Sequence, residues 1–240
     1  MKKLAEKLSP KVVLGIAAHP DDLDFGASAS FAKWANQGAD VYYLIVTDGS
    51  KGSDDPAAKP DELVTMRQQE QRNAARIVGA RDVFFLGYED SALEITLQLK
   101  KDIVKYIRML QPDVVVTMDP SMIYSKVRGV LNHPDHRAAA QAALDAVYPL
   151  ARDRLTFPEY SARGLLPHKV RTLLLINFDE QNYYEDVSNY FEMKMQALEA
   201  HTSQIPDASS LRAAMETLAS QLGGKGGFKY AEAFLRFDID

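Results

Sequence analysis

Residues 12–22 read VVLGIAAHPDD, an apolar run that stops at a histidine, a proline and two aspartates. The run is far shorter than the roughly 20 apolar residues of a membrane helix, and its aliphatic content is typical of a strand buried on both faces. Its polar end places imidazole and carboxylate groups of His19, Asp21 and Asp22 directly after that strand. We therefore predict a buried strand that carries chemically active side chains at its carboxyl end.

A second segment repeats this arrangement. Residues 114–118 form another apolar run, and Asn132-His133-Pro134-Asp135-His136 follows in the stretch after it. Ligands of open parallel sheets collect beyond the carboxyl ends of the strands, so we expect the two segments to form one site. Imidazole and carboxylate groups without thiolates are the ligand set of a catalytic zinc site that keeps a position for water. A hydrolase is the leading interpretation.

Short β-rich runs alternate with longer helical runs along the chain. The predicted strands are 12–18, 40–46, 82–86, 114–118 and 170–178. The predicted helices are 25–37, 62–78, 95–110, 134–147, 187–201 and 207–222. The alternation predicts an α/β fold, a mainly parallel sheet with helices on both faces, in one domain over residues 1–240. The aromatic tail 230–237 is expected to pack back on that domain.

Composition and charge exclude several classes of protein. The net charge is −5, from 28 basic and 33 acidic residues without a basic cluster, which disfavours a nucleic-acid partner. The chain has no cysteine, which excludes disulfides, thiolate metal ligands and a cysteine nucleophile. No signal peptide or membrane segment is predicted, so we expect a cytoplasmic protein without a membrane partner.

The two polar segments together suggest a mechanism. His19, Asp22 and His136 would hold a zinc ion, which lowers the pKa of bound water towards roughly 7 and polarises a carbonyl. Asp21 is placed to take the proton of that water, and a protonated His133 would stabilise the oxyanion. Asp135 would orient one of the histidines.

Purely structural interpretations stay open for each element taken alone. The first segment could be a polar turn with an N-capping aspartate, and the second a loop with a helix start. Arg67 and Glu70 could form a surface ion pair, and His201 could be a cation at a helix end. The loop 47–53, Thr-Asp-Gly-Ser-Lys-Gly-Ser, could be a simple turn.

The first segment resembles the His-Pro-Asp-Asp signature of the PIG-L (LmbE-like) deacetylases, and the second resembles their His-Pro-Asp-His signature. The similarity continues in 47–53, in Arg67 with Glu70, and in 200–204 and 229–234, so it covers nearly the full length. The resemblance implies a Rossmann-like fold and zinc-dependent hydrolysis of a linear amide, the acetamide of an N-acetylglucosamine-type substrate. The products would be acetate and a free amine.

Carried over residue by residue, the resemblance implies the metal ligands His19, Asp22 and His136, with Asp21 as general base and His133 as its electrostatic or acid partner. We assign substrate binding to Arg67, Asp48, Ser50 and His201. Fe²⁺ is an alternative to Zn²⁺ because nitrogen and oxygen ligands accept both. The resemblance also makes a homo-oligomer plausible.

The sequence departs from the family pattern near both signatures. Many members carry Glu directly after the aspartate pair, where this chain has Leu23, and its acid Asp24 comes one residue later. That spacing resembles the bacillithiol-type branch. A tyrosine before the second signature is unmatched, because Leu131 and Asn132 stand there, and Tyr124 does not align clearly.

The exact substrate therefore stays open. One alternative is an amidase acting on a sugar conjugate or a non-sugar amide. Another is a non-catalytic sugar-binding module, which the absence of a G-x-G-x-x-G turn and the carboxylates after strand one disfavour.

Overall fold

A computed structural model describes residues 7–239, so the predicted domain limits at residues 1 and 240 lie outside it. The strands in this range are β1 (Val12–Ala17), β2 (Asp40–Thr47), β3 (Asp82–Tyr88), β4 (Val114–Met118), β5 (Tyr124–Ser125), β6 (Val130–Leu131), β7 (Thr172–Ile176), β8 (Tyr183–Asp186) and β9 (Ala231–Asp238). Seven of these strands form one sheet in the order β3-β2-β1-β4-β7-β9-β8, and β5 and β6 form a separate hairpin.

The helices in the same range are α1 (Asp22–Gly26), α2 (Ser28–Asn36), α3 (Pro60–Ile77), α4 (Leu97–Leu110), α5 (Pro134–Asp145), α6 (Pro158–Ala162), α7 (Phe191–Glu199) and α8 (Ala208–Gly226). A π-helical turn, Ala146–Leu150, extends α5. None of the helices described between residues 7 and 239 is both long and apolar enough to cross a membrane.

The predicted α/β fold with a mainly parallel sheet is confirmed. Strands β3, β2, β1, β4 and β7 are parallel neighbours, and all five correspond to predicted strands. The tail forms β9, which pairs antiparallel with both β7 and β8. The sequence analysis does not predict strand β8, because its four residues are too few to give a clear alternating pattern.

Three helix predictions need correction. The helix predicted over 187–201 spans only Phe191–Glu199. The helix predicted over 25–37 is two helices, broken at Ala27, where φ is −148°. Gly26 before the break lies so close to β7 that a Cβ there would be 2.4 Å from Ile176 Cδ1. The predicted helix 207–222 continues to Gly226, and the chain turns only at Gly227, with φ of 81°. Gly223 does not end the helix; glycine is needed there because a Cβ would clash with the Lys229 carbonyl.

The sheet has an apolar core on each face. Helices α2, α3 and α7 cover one face, where Phe31 and Trp34 are fully buried. Helices α4 and α5 cover the other face with aliphatic side chains such as Leu99 and Ile103. With both faces covered, polar ligands have access mainly at the edge where the parallel strands end.

The strand order changes direction between β1 and β4. From β1 the chain proceeds outward through β2 and β3, then returns to place β4 on the other side of β1. The loops after β1 and β4 therefore diverge, which leaves a crevice at their carboxyl ends. Both polar sequence segments follow these two strands.

Candidate metal centre and active site

The two signature segments meet at this crevice, as the sequence predicts. The ring centroid of His19 lies 4.8 Å from that of His133 and 5.2 Å from that of His136. The three imidazoles offer nitrogen atoms within 4.8 Å of one another. Residues more than 110 positions apart in the chain thus share one site.

The turn after β1 is tightly constrained. The backbone N–H of His19 donates to Asp22 Oδ2 at 2.9 Å, which closes the turn around Pro20. Asp21 has φ of 95°, a region that non-glycine residues rarely adopt and that costs about 1–3 kcal/mol. Asp21 occupies the N-cap position of α1, yet its side chain makes no capping hydrogen bond. The interpretation of Asp21 as a helix-capping aspartate therefore does not hold.

Asp22 lies between two imidazoles. Its Oδ1 is 3.0 Å from His136 Nε2, and its Oδ2 is 3.7 Å from His19 Nδ1. Two ligands of one tetrahedral zinc ion, each about 2.0–2.2 Å from the metal, stand roughly 3.3 Å apart. These separations fit a shared metal ion. The other ring nitrogen of His136, Nδ1, meets Asn132 Oδ1 at 3.0 Å, which orients the ring.

Two further carboxylates surround His19. Its Nε2 lies 3.2 Å from Asp90 Oδ1 and 3.4 Å from Asp135 Oδ2. The sequence interpretation included Asp135 but missed Asp90, which follows β3 and so reaches the same edge of the sheet. His19, Asp90 and Asp135 form a second group in the described chain whose side chains could hold a metal.

The charges of the site favour a cation. Burial lowers the pKa of His19, but the hydrogen bonds and charges of Asp22 and Asp90 outweigh it and raise this pKa to about 10. Burial raises the pKa of Asp22, yet His136 and His19 hold it well below its usual range. Burial also raises the pKa of Asp90. Hydrogen bonds from His19 and from the Lys51 N–H, together with the charge of His19, outweigh burial and lower this pKa overall. Without a metal, protonated imidazoles balance these carboxylates; a bound metal ion would displace those protons and supply the positive charge instead.

Asp21 has the electrostatics of a base active near neutrality. Burial and the charge of Asp22 raise its pKa to about 7, against the opposite effects of Arg67, His201 and His19. The backbone N–H of Asp21 donates to Gln71 Oε1 at 2.9 Å. Both Gln71 and Arg67 lie on α3, so this helix positions the residue.

His133 is the N-cap residue of α5 and also faces the site. Its Nδ1 accepts the backbone N–H of Asp135 at 3.2 Å, so the neutral ring carries its proton on Nε2. Burial and the charge of His19 lower the pKa of His133. The sequence interpretation assumed a protonated His133, whereas these surroundings favour the neutral ring, which still has an N–H to donate.

Arg67 is buried rather than exposed on the cleft surface. Its guanidinium donates to the carbonyls of Gly49 and Pro20 at 3.0 and 2.9 Å and lies 3.4 Å from Asp21 Oδ2. Glu70 is buried as well, and it accepts the hydroxyls of Thr202 and Ser203 at 2.8 and 2.7 Å. The alternative of a surface ion pair between Arg67 and Glu70 is therefore wrong.

His201, assigned from sequence to substrate binding, is fully buried. Its Nε2 meets Asp24 Oδ2 at 2.8 Å, and Gln71 Nε2 donates to the same oxygen at 2.8 Å. Tyr43 donates to Asp24 Oδ1 at 3.1 Å. The structure does not bring His201 to the cleft; it links His201 through Asp24 and Gln71 to the backbone of Asp21.

The loop after β2 lies beside Asp90. Asp48 Oδ1 accepts the backbone N–H groups of Ser50 at 3.0 Å and Asp90 at 3.2 Å. Asp90 Oδ2 in turn accepts the N–H of Lys51 at 3.0 Å. Asp48 and Ser50 are half-buried. The hydrogen bonds of the Asp48 carboxylate hold the loop beside Asp90 and so beside the candidate metal centre.

A cleft of about 280 Å³ opens beside these residues. Asp22, His133 and His136 are part of its lining. Residues of the β5–β6 hairpin and of α8 also line it. Its volume is close to the lower end of the range for small-molecule sites, roughly 300 Å³.

Comparison with known proteins agrees with the signatures. The sequence profile of the PIG-L family, described as GlcNAc-PI de-N-acetylase, matches residues 14–147. Diacetylchitobiose deacetylase of Thermococcus kodakarensis is 34% identical over 229 residues, covering 95% of this chain and 83% of the relative. The chain therefore belongs to the PIG-L family.

Two further comparisons extend this result. A probable N-acetyl-alpha-D-glucosaminyl L-malate deacetylase 2 of Bacillus anthracis is 27% identical, covering 80% of this chain and 80% of the relative. The solved structure of N,N'-diacetylchitobiose deacetylase from Pyrococcus horikoshii, complexed with its inhibitor MPG, has a TM-score of 0.87 and 30% identity. It covers 95% of this chain and 84% of that chain. These relatives are N-acetylglucosamine-type deacetylases, hydrolases that act on amide bonds.

PIG-L deacetylases are generally metal-dependent, and the described residues include His/Asp groups able to hold a metal ion. The donor set is nitrogen and oxygen only, because the chain has no cysteine.

Proposed function

We propose that this protein is a zinc-dependent N-deacetylase that hydrolyses the acetamide of an N-acetylglucosamine-type substrate. The observation that carries the proposal is the position of Asp22 between His136 and His19, at 3.0 and 3.7 Å. Next to it, Asp21 carries a carboxylate that takes no part in capping α1. A metal-binding carboxylate and a separate basic carboxylate are the two components that metal-assisted amide hydrolysis requires.

His19, Asp22 and His136 are the proposed metal ligands. Two imidazoles and one carboxylate leave an open position for water on zinc, and the same donors would accept Fe²⁺. When bound, the ion lowers the pKa of water and polarises the amide carbonyl. Asp90 and Asp135, at 3.2 and 3.4 Å from His19 Nε2, orient that ring.

Asp21 is the proposed general base. A pKa of about 7 leaves much of its carboxylate ionised at neutral pH and able to take a proton from water. Arg67, which is fixed by the Pro20 and Gly49 carbonyls, holds the Asp21 carboxylate in place. We therefore propose a positioning role for Arg67 and, through Asp24 and Gln71, for His201.

His133 is the proposed donor to the oxyanion. Its Nδ1 is engaged by the Asp135 N–H, which leaves the Nε2 proton available to the developing negative charge. Water oxygen forms a bond to the carbonyl carbon as Asp21 takes a proton from the water, the C–N bond breaks, and the nitrogen takes that proton from Asp21. The products, acetate and a free amine, balance the amide and the water. Asp48 and Ser50 are the proposed substrate contacts at the rim.

Acetate release tests the proposal. N-acetylglucosamine, its α-glycosides, N,N'-diacetylchitobiose and simple acyl amides are incubated with the metal-loaded protein before and after chelation. Chelator-sensitive acetate release from the amino sugars supports the proposal. Release only from simple amides would replace it with a general amidase. No release from any substrate by fully loaded protein would contradict it.

A further inference from the structure

Part of the lining of the cleft beside the metal centre is apolar. This apolar wall is formed by Met118, Met122, Ile176, Phe178 and Met215 of the 280 Å³ cleft. This volume is far larger than the roughly 10–15 Å³ that a cavity needs to hold one water molecule. An apolar surface of this size beside a reaction centre is a binding surface for something other than water.

A second cavity extends this surface away from the centre. It has a volume of about 50 Å³ and shares Phe25, Ile176, Phe178 and Leu218 with the larger cleft. Its lining also includes Lys194 and Glu232, but these are paired with each other at 2.5 Å and both are buried. This second cavity therefore continues the apolar wall, and the Lys194–Glu232 pair adds no unpaired charge to it.

Two polar side chains of the cleft outside the metal centre, Ser125 and Asn132, are already engaged. Ser125 Oγ donates to Asp179 at 2.5 Å and accepts the N–H of Arg128 at 3.0 Å. Asn132 Nδ2 donates to the Met122 carbonyl at 2.7 Å, and its Oδ1 meets His136. Neither side chain is well placed to take over the hydrogen bonds of a buried sugar hydroxyl.

Arg128 occupies an aromatic face of the same wall. Its guanidinium carbon lies 3.9 Å from the centroid of the Phe178 ring, a cation–π contact. This contact covers one face of the Phe178 ring. The methionine, isoleucine and phenylalanine side chains of the wall offer a sugar hydroxyl no hydrogen-bond donor, so a hydroxyl buried against them would lose water without replacing it.

We propose that this wall is a subsite for an apolar substituent of the substrate, such as a hydrocarbon chain. This inference rests on the proposed function, because the substituent is carried by the amide that the metal centre hydrolyses. Two sources share this chemistry: an acyl group longer than acetyl, or an apolar aglycone on the amino sugar. Either one would extend from the reacting amide into the space between β7, α8 and the hairpin.

Two substrate series test the subsite and distinguish the sources. The first is N-acetyl-, N-butanoyl- and N-hexanoylglucosamine, and the second is the methyl, butyl and hexyl glycosides of N-acetylglucosamine. Each CH₂ that enters the cleft should raise kcat/KM up to about fourfold, equivalent to about 0.8 kcal/mol. We expect the six-carbon member of one series to exceed its shortest member at least tenfold, measured as free amine released.

Paired methionine variants locate the effect. Met215→Gln in the cleft should reduce the ratio of kcat/KM between the longest and shortest substrates toward one. Met109→Gln makes the same change at an exposed position on α4 and should leave that ratio unchanged. Equal ratios in the wild type and Met215→Gln would overturn the proposal, as would the absence of a gain in both series.

Binding to metal-free protein separates this proposal from the proposed function. Calorimetric titration with the same ligands measures affinity without turnover. Tighter binding of the longest ligand in one series, reduced by Met215→Gln, supports the subsite even if no substrate is hydrolysed. Hydrolysis of N-acetylglucosamine with no chain-length effect on binding or rate overturns the subsite and leaves the deacetylase intact.

Discussion

Gln71 accepts the backbone N–H of Asp21 at 2.9 Å, at the position where the chain takes a φ of 95°. The other end of the same side-chain amide donates to Asp24 at 2.8 Å. Gln71 is fully buried, so neither of its partners has water as a ready replacement. The strained backbone of the proposed base is thus held by a neutral side chain from α3.

Replacing Gln71 by Leu should disturb the base while the metal stays bound. The partly buried N–H of Asp21 would lose its acceptor, which costs up to about 1–3 kcal/mol of folding stability. We expect kcat to fall at least tenfold, KM to change little and metal content to stay normal. Gln69→Leu, at an exposed position of the same helix, is the matched control and should leave kcat unchanged. A Gln71→Leu enzyme with wild-type kcat would contradict the positioning role.

Asp21→Asn removes the proposed base and retains its shape. We expect normal metal content and a loss of kcat of about 10²–10⁴-fold, the usual contribution of a general base. Asp54→Asn, in an exposed loop, makes the same change without effect. Elemental analysis and acetate release are measured on the same samples. Activity above a tenth of wild type would exclude Asp21 as the base.

Carboxylate variants distinguish a metal ligand from a supporting residue. Asp22→Ala should leave the purified protein with little metal, because the contact between Asp22 and His136 is lost. Asp90→Asn should still bind one equivalent, with affinity lowered about 10–100-fold, as expected for a residue that orients a ligand. Competition with a chromophoric chelator measures both affinities. If Asp90→Asn lost the metal and Asp22→Ala retained it, the metal would be assigned to His19, Asp90 and Asp135 instead.

The buried pair of His201 and Asp24 predicts a pH-dependent stability. Burial lowers the pKa of His201, but the hydrogen bond and charge of Asp24, with Asp21 and Glu70, raise it above 6.5 overall. A raised pKa in the folded state stabilises the protein fully below pH 6.5, and this contribution is lost as the pH rises through the folded-state pKa.

His201→Gln should therefore destabilise the protein most near pH 5.5 and progressively less towards pH 9. Urea unfolding with chelator present measures the difference from wild type at each pH. A difference that stays constant over this range would show that protonation of His201 does not stabilise the fold.

The sequence predicts most of the sheet because its central strands are fully buried apolar runs. Strand β4 has the predicted bounds, and β1 and β2 each differ by one residue. Errors arise where tertiary contacts override local signals. Gly223 looks like a helix end but serves a close approach to the backbone of Lys229, and the edge strand β8 carries only a weak alternating pattern.

The sequence also predicts that both signatures meet, because strand order and motif position point to the same edge. The sequence does not predict which of the candidate site residues are buried. Arg67 and His201 look like substrate contacts, yet both are buried, and the role that we propose for them is to position Asp21. Gln71 and Asp90 belong to none of the sequence motifs. Only the position of Asp90 after β3 identifies it as a candidate residue of the site.

Titration of metal-free protein with Zn²⁺, followed by acetate release from N-acetylglucosamine, tests the central claim most directly. The account predicts no activity without metal, a linear rise with added zinc and a break at about one equivalent. Full activity in metal-free protein, or no activity at any zinc level despite one equivalent bound, would contradict a catalytic metal at His19, Asp22 and His136.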